Sequence, residues 1–269
     1  MKFSLKGLFT IAAVASSLVL AGCGDKTAES NKIKLGVMAG AEAQVAEVAK
    51  KVAKEKYNLD VELVTFTDYV TPNAALDDGS IDINAFQHKP YLDAQMADRG
   101  YKLAIAGNTF VYPIAGYSKK IKSVDEVKDG DRIAVPNDPT NLGRSLLLLQ
   151  KQGLIKLKDN VGLKATVGDI IDNPKHLEIV ELDAAQLPRS LDDVTIAVIN
   201  NTFASQLDLT PDKDGLFVED KDSPYVNIIV ARQDNVNSEN VKNFVKAYQT
   251  EEVYNAAYKI FKGSIVKGW

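Results

Sequence analysis

The sequence predicts an α/β protein of two lobes, and three observations carry that expectation. Strand-like and helix-like runs alternate along the chain from residue 33 onward. The alternation comes in two sets, parted at Val111-Tyr112-Pro113. A chain of 269 residues, 45% hydrophobic and 25% charged, has ordinary globular usage and the length for two lobes of roughly 100–150 residues each.

In the first set, residues 33–38 are a short β-type run that Ala39-Gly40 breaks. Residues 41–57 then carry Val45, Val48, Ala49, Val52 and Ala53 at helical spacing. Residues 61–66 read as a second strand and 71–77 as a short helix with Pro72 in its first turn. Residues 81–86 read as a third strand and 89–99 as a helix. This βαβαβ order argues for a mainly parallel, doubly wound sheet. The second set starts with strands at 114–118 and 132–135 around a short helix at 123–127. Residues 140–152 form a helix that Thr140 can cap, most apolar at 146–149. Strands at 177–182 and 195–199 flank a helical 184–191, and 226–231 is a late strand. Amphipathic helices at 238–248 and 251–261 close the chain. The expected division is 33–112 plus 228–269 for lobe I and 113–227 for lobe II, with a ligand cleft between them.

The N-terminus has the parts of a secretory signal at 1–22. Lys2 and Lys6 precede an apolar run at 8–20, shorter than the roughly 20 residues of a bilayer span. The run ends in Leu20-Ala21-Gly22-Cys23, which resembles a bacterial lipobox, and Cys23 is the one Cys of the chain. Lipidation of Cys23 would anchor the body to a membrane through the polar tether 23–32.

Composition and motifs exclude several function classes. Lys and Arg total 32 against 36 Asp and Glu, a net charge of −4, so the basic excess of a nucleic-acid binder is missing. One Cys permits neither an internal disulfide nor a Cys-rich zinc site. The sequence holds no G-x-S-x-G elbow, P-loop, H-E-x-x-H or G-x-G-x-x-G. His176 sits in a turn-like Asn173-Pro174-Lys175-His176, and Asp77-Asp78 and Asp192-Asp193 read as solvated loop ends. The expectation is a protein with no catalytic residues, no metal and no cofactor.

Residues at predicted strand ends are the better lead. Phe66-Thr67-Asp68-Tyr69 ends the second strand, and Asn84-Ala85-Phe86-Gln87-His88 ends the third, with Tyr91 one helical step beyond. Aromatic faces there suit an apolar side chain and hold a polarizable thioether well. Phe66 and Phe86 taken singly also fit plain core packing; Tyr69 and His88 carry polar tips. In the other lobe, Asn137-Asp138-Pro139-Thr140-Asn141-Leu142-Gly143-Arg144 runs from a strand end into a helix, whose free N–H groups favour an anion. The planar fork of Arg144 matches a carboxylate, or alternatively bridges to a surface acid. Asn200 and Asn227 add amide groups at a strand end and at the lobe crossing. A zwitterionic amino acid with an apolar side chain satisfies this set.

These stretches, with Val135-Pro136, Ala197-Val198-Ile199-Asn200, Ser223-Pro224-Tyr225-Val226-Asn227 and Val266-Lys267-Gly268-Trp269, resemble the MetQ/NlpA lipoprotein family over nearly the whole chain. The resemblance implies a two-lobed periplasmic substrate-binding-protein fold, each lobe a mixed sheet flanked by helices. It implies capture of methionine between the lobes and delivery to an ABC importer permease with its ATPase. Tyr69, Phe86, His88 and Tyr91 would surround the thioether, Arg144 would bind the carboxylate, and Asn141, Asn200 and Asn227 would complete the polar shell. Phe203 stands where many relatives would have Tyr, so no hydroxyl is expected there. The expected protein is a monomer, lipid-anchored to a bacterial membrane and facing the periplasm. The competing readings are a binder of another small apolar amino acid or peptide, and an envelope interaction or adhesin lipoprotein.

Overall fold

The computed structural model describes residues 31–220 and 222–269. The signal peptide at 1–22, Cys23 and the tether as far as residue 30 lie outside the described residues. The last tether residue, Lys32, is already the first residue of strand β1 (Lys32–Met38).

From β1 the chain runs through α1 (Ala41–Tyr57), β2 (Asp60–Phe66), α2 (Thr71–Asp77), β3 (Ile83–His88), α3 (Lys89–Arg99) and β4 (Leu103–Val111). It then forms β5 (Ala115–Tyr117), β6 (Arg132–Pro136), α4 (Pro139–Lys151), β7 (Lys156–Leu157), β8 (Ile170–Asp172) and β9 (Glu178–Leu182). Next come α5 (Leu187–Ser190), β10 (Ile196–Ile199), α6 (Asn201–Ala204), α7 (Pro211–Asp214) and β11 (Phe217–Val218). The last elements are β12 (Val226–Arg232), α8 (Glu239–Tyr248), α9 (Glu251–Ile260) and β13 (Val266–Lys267).

These elements build two main sheets. The first has the order β13-β4-β12-β3-β1-β2, and the second β11-β5-β10-β6-β9; β7 and β8 form a separate ribbon. The chain passes between the main sheets at residues 112–114 and again after β11. Both sheets belong to one compact unit, Asn31–Trp269.

In the second sheet β6 pairs parallel with both β9 and β10, and in the first the expected parallel arrangement holds for β1, β2 and β3. Strands β12, β4 and β13 join antiparallel and complete a mixed sheet. β4 escaped the sequence reading because Ala104, Ala106, Gly107 and Asn108 dilute its apolar pattern. The late strand β12 shows why the sheet takes helices on both faces. Ile229 and Ala231 face a core shared with α1, α8 and α9, while Ile228 and Val230 face another with Leu76 and Leu92. In the second sheet, Ile133, Val135, Ile196 and Val198 pack against Leu146 and Leu149 of α4.

A further cluster draws on both sheets. Met38, Phe86 and Tyr91 meet Ala134, Ala197, Ile199 and Phe203 there. Strand ends of the first sheet therefore abut the second sheet, which is where a cleft in an open α/β architecture is expected.

Candidate functional site

The loop after β2 is set by local chemistry. The Asp68 carboxylate accepts the N–H groups of Val70 and Thr71 at 2.8 and 2.9 Å, a turn that Asp favours. Tyr69 is thereby presented beside β3, and the Tyr91 hydroxyl donates to the Tyr69 carbonyl at 2.7 Å.

Strand β3 carries an irregularity that aims its end. Across the β12 ladder Ile228 faces Gln87 and Ile229 faces Ala85, which leaves Phe86 as the extra residue of a bulge. The Phe86 carbonyl is taken by Asn227 Nδ2 at 3.2 Å. His88 ends the strand and caps α3, its Nδ1 accepting from the Tyr91 N–H at 3.1 Å. The remaining ring nitrogen, Nε2, meets Asn141 Oδ1 of α4 at 3.2 Å. An Nδ1 that accepts leaves the proton on Nε2, so His88 donates to Asn141. Burial is the main cause that drives the His88 pKa down to about 3, with the nearby Arg144 charge adding to it; the ring is neutral.

The opposite wall rises from α4. Its cap is Asp138 rather than the expected Thr140, because Pro139 occupies the first helical position and the Asp138 carboxylate accepts the Asn141 N–H at 2.9 Å. Asp138 also accepts from Asn141 Nδ2 at 2.9 Å, which turns Asn141 Oδ1 toward His88 and toward Asn200 Nδ2 at 3.0 Å. Asn141 thus latches the two sheets together, and its carboxamide is largely engaged. Among the described residues Asn200 Oδ1 is buried with no hydrogen-bond partner.

Arg144 is 4% exposed and held on three sides. Its Nε donates to Glu219 Oε1 at 2.8 Å, and Nη2 donates to Glu219 Oε2 and to the Tyr112 carbonyl at 3.1 Å. The Tyr225 ring lies against the guanidinium, 4.3 Å from its centre. Among the described residues no acceptor takes a hydrogen bond from Nη1. The bland expectation for Arg144, a bridge to a surface acid, is met in part: the acid exists, but it is mostly buried, and the guanidinium still borders the cavity.

One cavity gathers all eight residues expected from the sequence. Tyr69, Phe86, His88, Tyr91 and Asn227 line it from the first sheet; Asn141, Arg144 and Asn200 line it from the second. The aromatic rings support one another, with Tyr69 5.9 Å from Phe86 and Phe86 6.0 Å from Tyr91. Phe203 backs this group, 4.9 Å from Tyr69. Edge and tilted contacts of this kind suit aromatic quadrupoles and keep the ring faces rigid.

Several wall residues were not singled out from the sequence. Gln87 belongs to a buried amide network: it exchanges bonds with Asn73 at 2.8 and 2.6 Å and donates to Asn84 at 3.0 Å. Tyr112, Asn201 and Thr202 also line the cavity, and Glu219 and Tyr225 hold Arg144. Gln87 lies within the strand end Asn84-Ala85-Phe86-Gln87-His88, and Tyr112 and Tyr225 lie near the two passages between the sheets; nothing local marks Glu219. Elsewhere, His176 lies exposed in a turn beside Asp129, at 2.7 Å.

A two-sheet architecture with a mixed aromatic and polar cavity at the sheet ends is that of a substrate-binding protein of the transport type. The profile of the NlpA lipoprotein family matches residues 33–269, and the chain belongs to that family. It is 78% identical over 269 residues to the probable D-methionine-binding lipoprotein MetQ of Vibrio cholerae, covering all of both chains. It is 68% identical over 271 residues to the D-methionine-binding lipoprotein MetQ of Escherichia coli, again over the full length of both. Among solved structures it resembles the methionine-binding protein MetQ, at 72% identity and TM-score 0.88, covering 89% of this chain and 98% of that one. A nutrient-binding protein from Burkholderia cenocepacia, solved bound to methionine, matches at 52% identity and TM-score 0.86, covering 88% and 100%. These relatives are binding proteins and lipoproteins, as the sequence reading expected, and not enzymes.

Proposed function

We propose that this protein captures methionine in the cavity between its two sheets and delivers it to an ABC importer. The observation that carries the reading is the pairing of walls: an aromatic one faces a guanidinium edge and a buried, unpartnered amide oxygen. In this reading the methionine carboxylate takes the open Nη1 edge of Arg144. Asn200 Oδ1 accepts from the ammonium, which removes the cost of an unpaired buried acceptor. The thioether lies among Tyr69, Phe86 and Tyr91, where sulfur–aromatic contact is favourable. His88 and Asn227 shape the boundary between the two ends of the ligand. Neither wall alone meets both ends of an amino acid, so the ligand favours the arrangement in which they face each other. L-methionine fits this scheme, and the same groups can meet the D-form.

The lobes in this proposal are 33–112 plus 228–269 and 113–227, corrected at the second crossing to fall before Val226, because Val226 and Asn227 pair with Val111 and His88 in the first sheet; Cys23 is lipidated and 23–32 is the tether. The body is a monomer that faces the periplasm and docks on the importer's permease, which its ATPase drives. No described helix is long and apolar enough to cross a membrane.

The test is to denature the purified protein and identify the released small molecule by mass spectrometry, then to titrate ligand-free protein. Methionine near one per chain is the expected result. Added methionine at 100 times its dissociation constant should stabilise the fold by about 2.7 kcal/mol. An empty protein whose melting does not respond to methionine defeats the reading and turns attention to another amino acid, a peptide or an envelope scaffold role.

A further inference from the structure

The acid that holds Arg144 is the feature that the methionine reading does not use. Glu219 follows β11 directly, and its N–H extends the strand ladder to the Ile114 carbonyl at 3.0 Å. Its carboxylate takes both Nε and Nη2 of Arg144, a two-point pairing that matches the guanidinium fork. Glu219 does not line the ligand cavity. It lines a separate groove with Arg144, Lys151 and Tyr225, so Arg144 stands between the cavity and its own counter-ion.

Other charges nearby do not do this job. Lys151 is paired with Asp220 in the outer groove. The Asp138 carboxylate faces the N-terminus of α4, where Thr140 and Asn141 bond it, and among the described contacts it does not pair with Arg144. His88 is neutral, and burial raises the Glu42 pKa to about 8, which leaves that carboxyl mostly protonated at neutral pH. A desolvated guanidinium with no partner would be strongly unfavourable and would attract anions indiscriminately.

We propose that Glu219 sets the charge preference of the cavity, neutralising Arg144 from the far side so that the site selects a zwitterion over ligands with net charge. The inference rests on the reading of the cavity as a methionine site. The ligand carboxylate then meets Arg144 as a fixed hydrogen-bond donor rather than as an uncompensated charge. Glu219 acts through Arg144 and is a positioning and charge-setting residue.

The experiment uses three probes by calorimetry at about pH 6, where an α-amino group is protonated. They are methionine, the anionic desamino analogue 4-(methylthio)butanoate and the cationic methioninamide. In the wild type both charged analogues should bind more weakly than methionine and within about tenfold of each other. In Glu219→Gln the preference for the anion over the cation should rise by at least about tenfold, since the wall then carries a net positive charge. A purely structural role would weaken both analogues together and leave that ratio unchanged. An unchanged ratio in a variant that still binds methionine overturns the inference. So does a wild type that prefers the anion over the cation by more than about 100-fold, a result that needs no folded variant. Failure of the wild type to bind methionine is a different result: it removes the methionine reading and this inference with it.

Discussion

The two walls of the cavity are built on different principles. The aromatic wall is local: Phe86, His88 and Tyr91 lie within six residues of one another, and the His88 ring both caps α3 and touches the other sheet. Its members are held by edge and tilted ring contacts and by hydrogen bonds such as that from Tyr91 to Tyr69 in the loop after β2. The polar wall is assembled from distant segments. Arg144 depends on Glu219, 75 residues away, and Asn141 on Asn200, 59 residues away. A wall made by one strand end tolerates the loss of a neighbour. A wall made by long-range pairs leaves an unpaired buried group when either member goes, and it should be the more fragile of the two.

The largest expected effect breaks the polar wall. Arg144→Ala should weaken methionine binding by about 100-fold or more, because the ligand loses a fixed donor and Glu219 loses its partner in a dry site. Titration calorimetry measures it, and retention of wild-type affinity would refute the site assignment. Next comes Phe86→Ala in the aromatic wall. It removes a ring that is 3% exposed and should cost about 2 kcal/mol of binding, with lower melting as well. If Phe86→Ala proved the costlier of the two for affinity, the ranking of the walls would be reversed.

The same contrast explains what was legible in the sequence. Helical spacing in α1 and the strand runs around β1, β2 and β3 are periodic signals, and these elements stand close to where they were expected. All eight candidate residues line one cavity because strand ends and the start of a helix are positions where side chains converge. Three kinds of feature stayed hidden. β4 carries too few apolar residues to signal a strand, and its place depends on β12 far along the chain. The Asp138 cap was hidden by a plausible Thr two positions later. Glu219 sits beside Asp220 and resembles any solvated acidic turn until the fold brings Arg144 against it.

A smaller perturbation acts on the polar wall through its supporting helix. Gly143 lies on α4 between Leu142 and Arg144, and a Cβ there would stand 2.3 Å from the Leu163 carbonyl oxygen. Backbone cannot step aside as a side-chain tip can, so α4 must shift. Gly143→Ala should cost roughly 1–3 kcal/mol of stability and weaken methionine more than it weakens the aromatic wall's packing. Chemical denaturation and calorimetry on the same variant separate the two effects. Unaltered stability would show that the 162–165 segment yields more easily than its contacts suggest.

The smallest effect concerns protons, and it tests two buried groups on the side of the first sheet, each in contact with the second. On the first sheet His88 has a folded pKa of about 3 against 6.5 for a free imidazole. The unfolded chain takes up that proton first, so stability is lost as pH falls from 6.5 toward 3. Behind the cavity, Glu42 of α1 bonds Thr202 of α6, and burial raises its pKa from 4.5 to about 8. Here the folded chain holds the proton longer, so stability is lost as pH rises from 4.5 toward 8. Between 4.5 and 6.5 the two slopes oppose each other and leave a plateau. Above it stability should fall by about 1 kcal/mol per pH unit up to pH 8. Glu42→Gln should remove that decline, and His88→Gln should tilt the plateau so that stability falls with rising pH across it. Denaturant melts at half-unit pH intervals measure both. A decline above pH 6.5 that survives in Glu42→Gln would place its source in another group, and the cross-sheet contact of Glu42 with Thr202 would then carry no titrating proton.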